Sequence, residues 1–304
     1  MQLDEIQAGL ATVTAIPVTP FDADGDVDFD RYATLVERMV DGGIRVVTPN
    51  GNTSEFYSLT ASEQQAAVDA TVAGVQGQAL ILAGVGYDAR TAADMAEYAA
   101  AKGAQAVMVH QPVHPFKSDA GWIAYHATVA EAVPDLAIVP YLRDPSIGAA
   151  TLTQLAEQCP NFVGIKFAVP DPVKFAATVA TVGRDRLAWI CGVAESWAPF
   201  FATGGACGFT SGLVNVTTGL SLELQAALES GNQTRAMELW HTVRPFEEIR
   251  ARHNNGNNVS AVKEAMAQLG LCGATVRPPI SELPDSEKAE VTQILTGLGV
   301  AVPA

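Results

Sequence analysis

The stretch "FVGIKFA", residues 162–168, is an apolar run with a single lysine, Lys166, set in its middle. A nearly continuous apolar run, rather than an alternating one, is how a strand buried on both faces of a parallel sheet reads. Seven further runs share this character: "TVTAIPVT" (12–19), "RVVTPN" (45–50), "ALILAGVG" (79–86), "AQAVMVHQP" (104–112), "LAIVPYL" (136–142), "LAWICGV" (187–193) and "GFTSGLV" (208–214). Alanine-rich segments with helix signals separate them. Thr60 followed by Glu63 is a capping-box pattern, and "TAADMAEYAAAKG" ends on Gly103. Eight strand–helix units over roughly 250 residues are the period of an α/β (β/α)8 TIM barrel. A doubly wound open sheet is the alternative, but no glycine fingerprint follows the first run.

After about residue 220 the rhythm changes to three helical stretches, roughly 220–253, 256–269 and 284–298. The expected organisation is a barrel over 1–219 with a C-terminal helical extension over 220–304, packed together as one structural unit. "PDLA", "VPDP" and "RPPISELPD" are turns, and no repeat is present beyond the strand–helix period.

The composition, 48% hydrophobic and 17% charged over 304 residues, is that of a globular protein able to bury a large core. A net charge of -15 with only 18 Lys and Arg argues against nucleic acid, which requires a basic face. Cys159, Cys191, Cys207 and Cys272 form no CxxC pair, which fits free thiols in a reducing compartment. The opening "MQLDEIQAGLATV" lacks a basic start followed by an apolar stretch, and no long uncharged apolar run occurs. The expectation is a cytoplasmic protein with no membrane partner.

In a barrel the ends of the strands build the pocket, so the ends of the eight runs form one list of candidate residues. A lysine in apolar surroundings loses basicity, and its neutral amine can attack a ketone to form a Schiff base. Two other readings of Lys166 stand beside this one: a lysine paired with a buried carboxylate, and one reaching out to water. Lys102, Lys117, Lys174, Lys263 and Lys288 sit in helical or loop contexts. Tyr141 ends the preceding run, where its phenol is either a proton carrier beside an iminium or an ordinary core hydroxyl. The loop "PNGNTSEFYSLT" after the second run offers Gly51 for a tight turn, with Thr53, Ser54 and backbone amides as a carboxylate nest. A plain hydrophilic loop is the other reading.

These residues resemble those of the dihydrodipicolinate synthase and N-acetylneuraminate lyase family. "GNTSEFYSLTASEQ" is similar to its GTTGE...LT..E signature, "VPYLRDP" to its tyrosine motif and "FVGIKFA" to its Schiff-base lysine motif. The opening "IPVTPFDADGDVDFDRYATLVERMVDGGI" is similar to the family's usual start, so the resemblance spans nearly the whole chain. It implies a class I lyase on a (β/α)8 barrel, with neither metal nor cofactor. Lys166 would form an imine with a small-molecule 2-keto acid and Tyr141 would move protons. Gly51 and Thr53 would lie at the substrate carboxylate, Gly192 and Ser211 would line the pocket, and the chain would assemble as a homodimer or homotetramer.

Departures from the family pattern bear on the substrate. Asn52 and Thr53 replace paired threonines, Ser54 replaces a glycine, and Val113 with His114 replaces a tyrosine pair. The hydroxyl relay through a neighbouring subunit is therefore not expected. Ser146 stands where the synthases place an arginine for a second substrate carboxylate. Arg143 instead resembles the "YNR" pattern of deoxy-keto sugar acid dehydratases, and "SEFYSL" resembles their "GEFFSL", although Phe167 stands where they carry an acidic residue. The leading expectation is dehydration or aldol cleavage of a 2-keto-3-deoxy sugar acid, with Asn52, Thr53, Ser54, His114 and Arg143 at the substrate. The alternatives are synthase-type pyruvate condensation and a non-catalytic keto-acid-binding barrel. A phosphate-binding isomerase would rest on "TGGACG" alone, and the polar turn at Asn254–Asn258 reads either as a plain connection or as a loop reaching the site.

Overall fold

The structure is a computed structural model that describes residues 1–303. Its strands are β1 (Val13–Ala15), β2 (Val46–Val47), β3 (Leu80–Val85), β4 (Ala106–Val109), β5 (Ala137–Leu142), β6 (Gly164–Phe167), β7 (Ala188–Cys191) and β8 (Gly208–Ser211). All pair in parallel and in sequence order, and β8 returns to β1 to close a (β/α)8 barrel. Each of the eight apolar runs contributes one strand. Seven of the strands end before their runs do, because the last residues of those runs turn away into the loops above the barrel, whereas β5 continues to the last residue of its run, Leu142.

The connecting helices are α2 (Phe29–Asp41), α3 (Ala61–Val75), α4 (Ala89–Ala101), α5 (Asp119–Ala132), α6 (Ala149–Gln158), α7 (Pro172–Val182) and α8 (Ala198–Thr203). The Thr60–Glu63 capping box opens α3 reciprocally, satisfying two amides that the first turn leaves free. Residues such as Ile165, Phe167, Trp189 and Phe209 face outward and form one core with these helices. Their alternates, among them Met108, Val139, Tyr141, Ala188 and Ile190, fill the barrel.

A short helix not foreseen from the sequence, α1 (Leu3–Gly9), closes the amino end of the barrel. Ile6 and Leu10 join the interior cluster there, with Leu10 against the first residue of β6, Gly164.

The stretch expected as one helix over 220–253 is two, α9 (Gly219–Glu229) and α10 (Gln233–Asn255). Gly231, at φ +69, makes the break, and the Asn232 side chain caps the second helix. Then come α11 (Ser260–Gln268) and α12 (Asp285–Gly297). Val243, Phe246, Ala261, Val262, Val291 and Leu295 share a core with Val18, Leu35, Leu213 and Val216 of the barrel. No helix among the described residues is long and apolar enough to cross a membrane.

Candidate active site

Lys166 sits one residue from the carboxyl end of β6 and is in register with Tyr141 on β5 and Ile190 on β7. Strand parity turns its side chain into the barrel, where it is only 2% exposed. Its amine lies 4.1 Å from the centre of the Tyr141 ring and 3.6 Å from Met108 Sδ. Among the described residues no carboxylate meets it, and the side chain does not reach water, so both alternative readings of this lysine fall. Burial lowers its pKa to about 7, and the Arg143 charge pushes in the same direction. At neutral pH a large part of the amine is therefore unprotonated and nucleophilic.

Gly192, just past β7, makes room for this lysine. A Cβ there would lie 2.9 Å from Lys166 Cγ and 2.8 Å from Ala168 Cβ. Tyr141 is buried, which raises its phenol pKa, while Arg143 and a hydrogen bond from Asn52 act against that rise. Asn52 Nδ2 approaches the Tyr141 hydroxyl at 3.4 Å. Arg143 is exposed at the mouth, with its guanidinium 5.9 Å from the Tyr141 ring centre.

The loop after β2 brings Asn52 to this place, and Thr53, next in the chain, is buried. Gly51 is needed because a Cβ would meet Ile16 Cγ2 at 2.5 Å. Ser54, expected at the substrate, is spent on the loop itself: its hydroxyl donates to the Pro17 carbonyl at 2.6 Å and accepts from the Gly51 amide at 3.3 Å.

Two expected residues are not brought to the lysine. The Ser211 hydroxyl donates to Glu195 and lies 3.3 Å from the Ser221 hydroxyl of α9, so it points outward between strand and helix. By parity the inward residue of β8 is Thr210, level with Thr14 of β1. His114 is exposed on the loop after β4, its Nδ1 bonded locally to Phe116. The polar turn is likewise engaged elsewhere: Asn257 donates to Glu287 and Asn258 accepts from Arg250. "TGGACG" lies between α8 and the start of β8, at the amino face, where Gly205 at φ +112 makes the turn.

His110 was not singled out from the sequence, although it stands two residues beyond inward-facing Met108. Its ring stacks on Phe56 at 4.2 Å and meets the Tyr141 ring edge-on at 6.0 Å. Nε2 lies 2.8 Å from the Asn50 carbonyl, which can only accept, so this nitrogen carries the proton. Burial lowers the pKa to about 3 and keeps the ring neutral beside Lys166. A buried acid, Glu195, sits behind β7 and β8, its pKa raised by burial and by the Glu247 charge.

The geometry has counterparts in known proteins. Residues 9–298 match the Dihydrodipicolinate synthetase family. A protein of Bradyrhizobium sp. (strain ORS 278) named "Probable 5-dehydro-4-deoxyglucarate dehydratase" is 31% identical, over 95% of this chain and 93% of its own. One of the same name from Bacillus subtilis (strain 168) is 27% identical over 96% of each chain. Among solved structures, dihydrodipicolinate synthase from Bacillus clausii superposes with a TM-score of 0.93 at 41% identity, covering 97% of this chain and 100% of that one. The one from Oceanobacillus iheyensis gives 0.94 at 39%, covering 98% and 99%. With a match over almost its full length, a closed eight-stranded barrel and a lysine buried at the end of the sixth strand, the chain belongs to the dihydrodipicolinate synthetase family.

Proposed function

We propose that this protein is a class I lyase that dehydrates a 2-keto-3-deoxy sugar acid through an imine on Lys166. The observation that carries the reading is the amine of Lys166, buried beside the Tyr141 ring with no carboxylate partner and a pKa near neutrality. The neutral amine adds to the C2 carbonyl, and with one proton taken up from solvent the carbinol oxygen leaves as water, giving a protonated imine. That cation accepts the electron pair released when a C3 proton passes to a water molecule. The pair then expels the C4 hydroxyl, which leaves as water with a proton from the Tyr141 phenol, and hydrolysis of the imine frees the product.

Thr53 and the backbone amides of Asn52 and Thr53, which the hydrogen bonds of the turn leave unused, suit the carboxylate next to the keto group. Arg143, at the mouth outside Tyr141, suits a second carboxylate at the far end of the substrate. A sugar acid with two carboxylates also agrees with the dehydratase name that full-length relatives carry. The acidic pI near 4.6 adds no field that would gather an anionic substrate, which leaves this capture to local groups. We place the reaction in a soluble homodimer or homotetramer in the cytoplasm.

The test is incubation with pyruvate and with a panel of 2-keto-3-deoxy sugar acids, borohydride reduction, peptide mapping and product analysis. An adduct on Lys166 with loss of one water from the sugar acid supports the reading. Release of pyruvate and an aldehyde would mean cleavage instead, and carbon–carbon bond formation from added pyruvate and an aldehyde would mean condensation. No adduct with any keto acid, from folded protein, would refute the imine and leave a binding barrel.

A further inference from the structure

The loop that holds Asn52 against Tyr141 is gripped from outside the barrel. Two of its residues, Asn50 at φ +59 and Glu55 at φ +60, lie in the left-handed region without being glycine. Asparagine visits this region readily, but a glutamate persists there only where its surroundings hold it. At Glu55 those surroundings come from the C-terminal extension. Its side chain is fully buried, with Oε1 2.5 Å from Lys263 Nζ of α11 and Oε2 accepting from the Arg277 amide at 3.0 Å.

Lys263 is equally buried. Its amine also donates to the Thr275 carbonyl at 2.8 Å and stands 4.0 Å from the centre of the Phe21 ring. Arg277 lies 4.4 Å from that ring centre, so Phe21 has a cation close to its ring twice over. The same arginine forks onto Glu63 at 2.7 and 2.8 Å and donates to the carbonyls of Ser58 and Gly25. The β2 loop and the start of α3 are thus held at two points by one segment of the extension.

The link to the reacting groups is short. The Glu55 amide donates to the Asn52 carbonyl at 3.0 Å, closing the turn whose side chain reaches the Tyr141 hydroxyl. A buried ion pair is weak evidence for stability, because desolvation of both charges offsets most of their attraction. Its use here is better sought in geometry.

We propose that Glu55 and Lys263, braced by Arg277, are positioning residues that set the substrate loop on Tyr141 and Lys166, which makes the C-terminal extension part of the catalytic apparatus. The inference rests on the reading of Lys166 and Tyr141 as the reacting groups. Glu55 and Lys263 touch no reacting atom and act through Asn52 and Thr53.

The test compares Glu55→Gln, Lys263→Met, the double variant and Arg277→Lys with the parent. Three quantities are read: the pyruvate concentration that half-saturates cyanoborohydride trapping at Lys166, hydrogen exchange of amides 51–56, and thermal stability. The half-saturating concentration and the exchange of the loop should each rise about tenfold or more, with β3 to β6 still protected. The double variant, freed of an unpaired buried charge, should recover stability without recovering either loop readout. Arg277→Lys, at a partly exposed site, should give the same effects in smaller measure, and it decides the matter together with the double variant if the single changes do not fold. Folded variants with half-saturation and exchange within about twofold of the parent would overturn the proposal, since a purely structural pair leaves both untouched. If the parent itself forms no adduct, the imine reading fails, and exchange in the loop still decides the clamp.

Discussion

Burial of Lys166 makes a prediction that separates its chemistry from its mere presence. Removing the amine from water lowers its pKa from 10.5 to about 7, with Arg143 adding to the shift. At pH 7 about half of the amine is then neutral, against roughly three parts in ten thousand for an ordinary lysine, a gain of ~10³-fold in reactive form. Lower basicity gives back part of that gain in intrinsic nucleophilicity. The rate of adduct formation with pyruvate under cyanoborohydride should therefore rise to an inflection near pH 7 and level off above it. Stability should report the same shift. The folded state gives up this proton near pH 7 and the unfolded chain keeps it to pH 10, so over that window the unfolded state binds more protons and stability increases with pH. The full window corresponds to about 5 kcal/mol, of which about 2 kcal/mol falls between pH 7 and 9. Lys166→Met keeps the volume and removes the titration, so denaturant midpoints of parent and variant should converge as pH rises from 6 to 9. Other titrating groups, including Glu195, are common to both proteins and cancel in the difference. Equal pH dependence in the two proteins, with an adduct rate that still climbs toward pH 10, would refute the reasoning.

Three further outcomes follow from the same geometry. Tyr141→Phe should keep adduct formation on Lys166 but lower turnover by roughly 10²–10⁴-fold, as measured by single-turnover product release beside peptide mapping. Gly192→Ala places a methyl 2.9 Å from Lys166 Cγ, so trapping should slow by about 10²-fold while the protein stays folded by circular dichroism. Arg143→Ala removes a positive charge that depresses the Lys166 pKa, so the inflection in the trapping rate should move to higher pH; an unmoved or lowered inflection would contradict that assignment.

The barrel could be read from the chain because its strands are buried on both faces. Such strands are written as continuous apolar runs, and eight of them at this spacing leave few other closed arrangements. The parts that were not read are those held by distant contacts. Helix α1 is seven residues long and offers Ile6 and Leu10 as its apolar signal, and its place at the amino end of the barrel depends on β3 and β6. The break between α9 and α10 turns on Gly231, whose left-handed φ is a matter of local conformation rather than of periodicity.

The site divides along the same line. Lys166 and Tyr141 were legible because each is a polar residue at the end of an apolar run on consecutive strands, and parallel pairing puts such ends at one depth. Ser211 missed by one residue of parity, since neighbours on a strand face opposite sides. Parity along β4 would also have found His110, which shares its face with Met108. Lys263 had no such signal. On α11 it reads as one more helical lysine, and only the folded chain brings Glu55, from the loop after β2, within 2.5 Å of it. The two buried lysines thus differ in the feature that decides their chemistry. Burial lowers the pKa of both, but Lys263 has a carboxylate that acts against this fall and makes it an anchor, whereas Lys166 has only an aromatic ring and a thioether beside it, which do nothing to hold its proton.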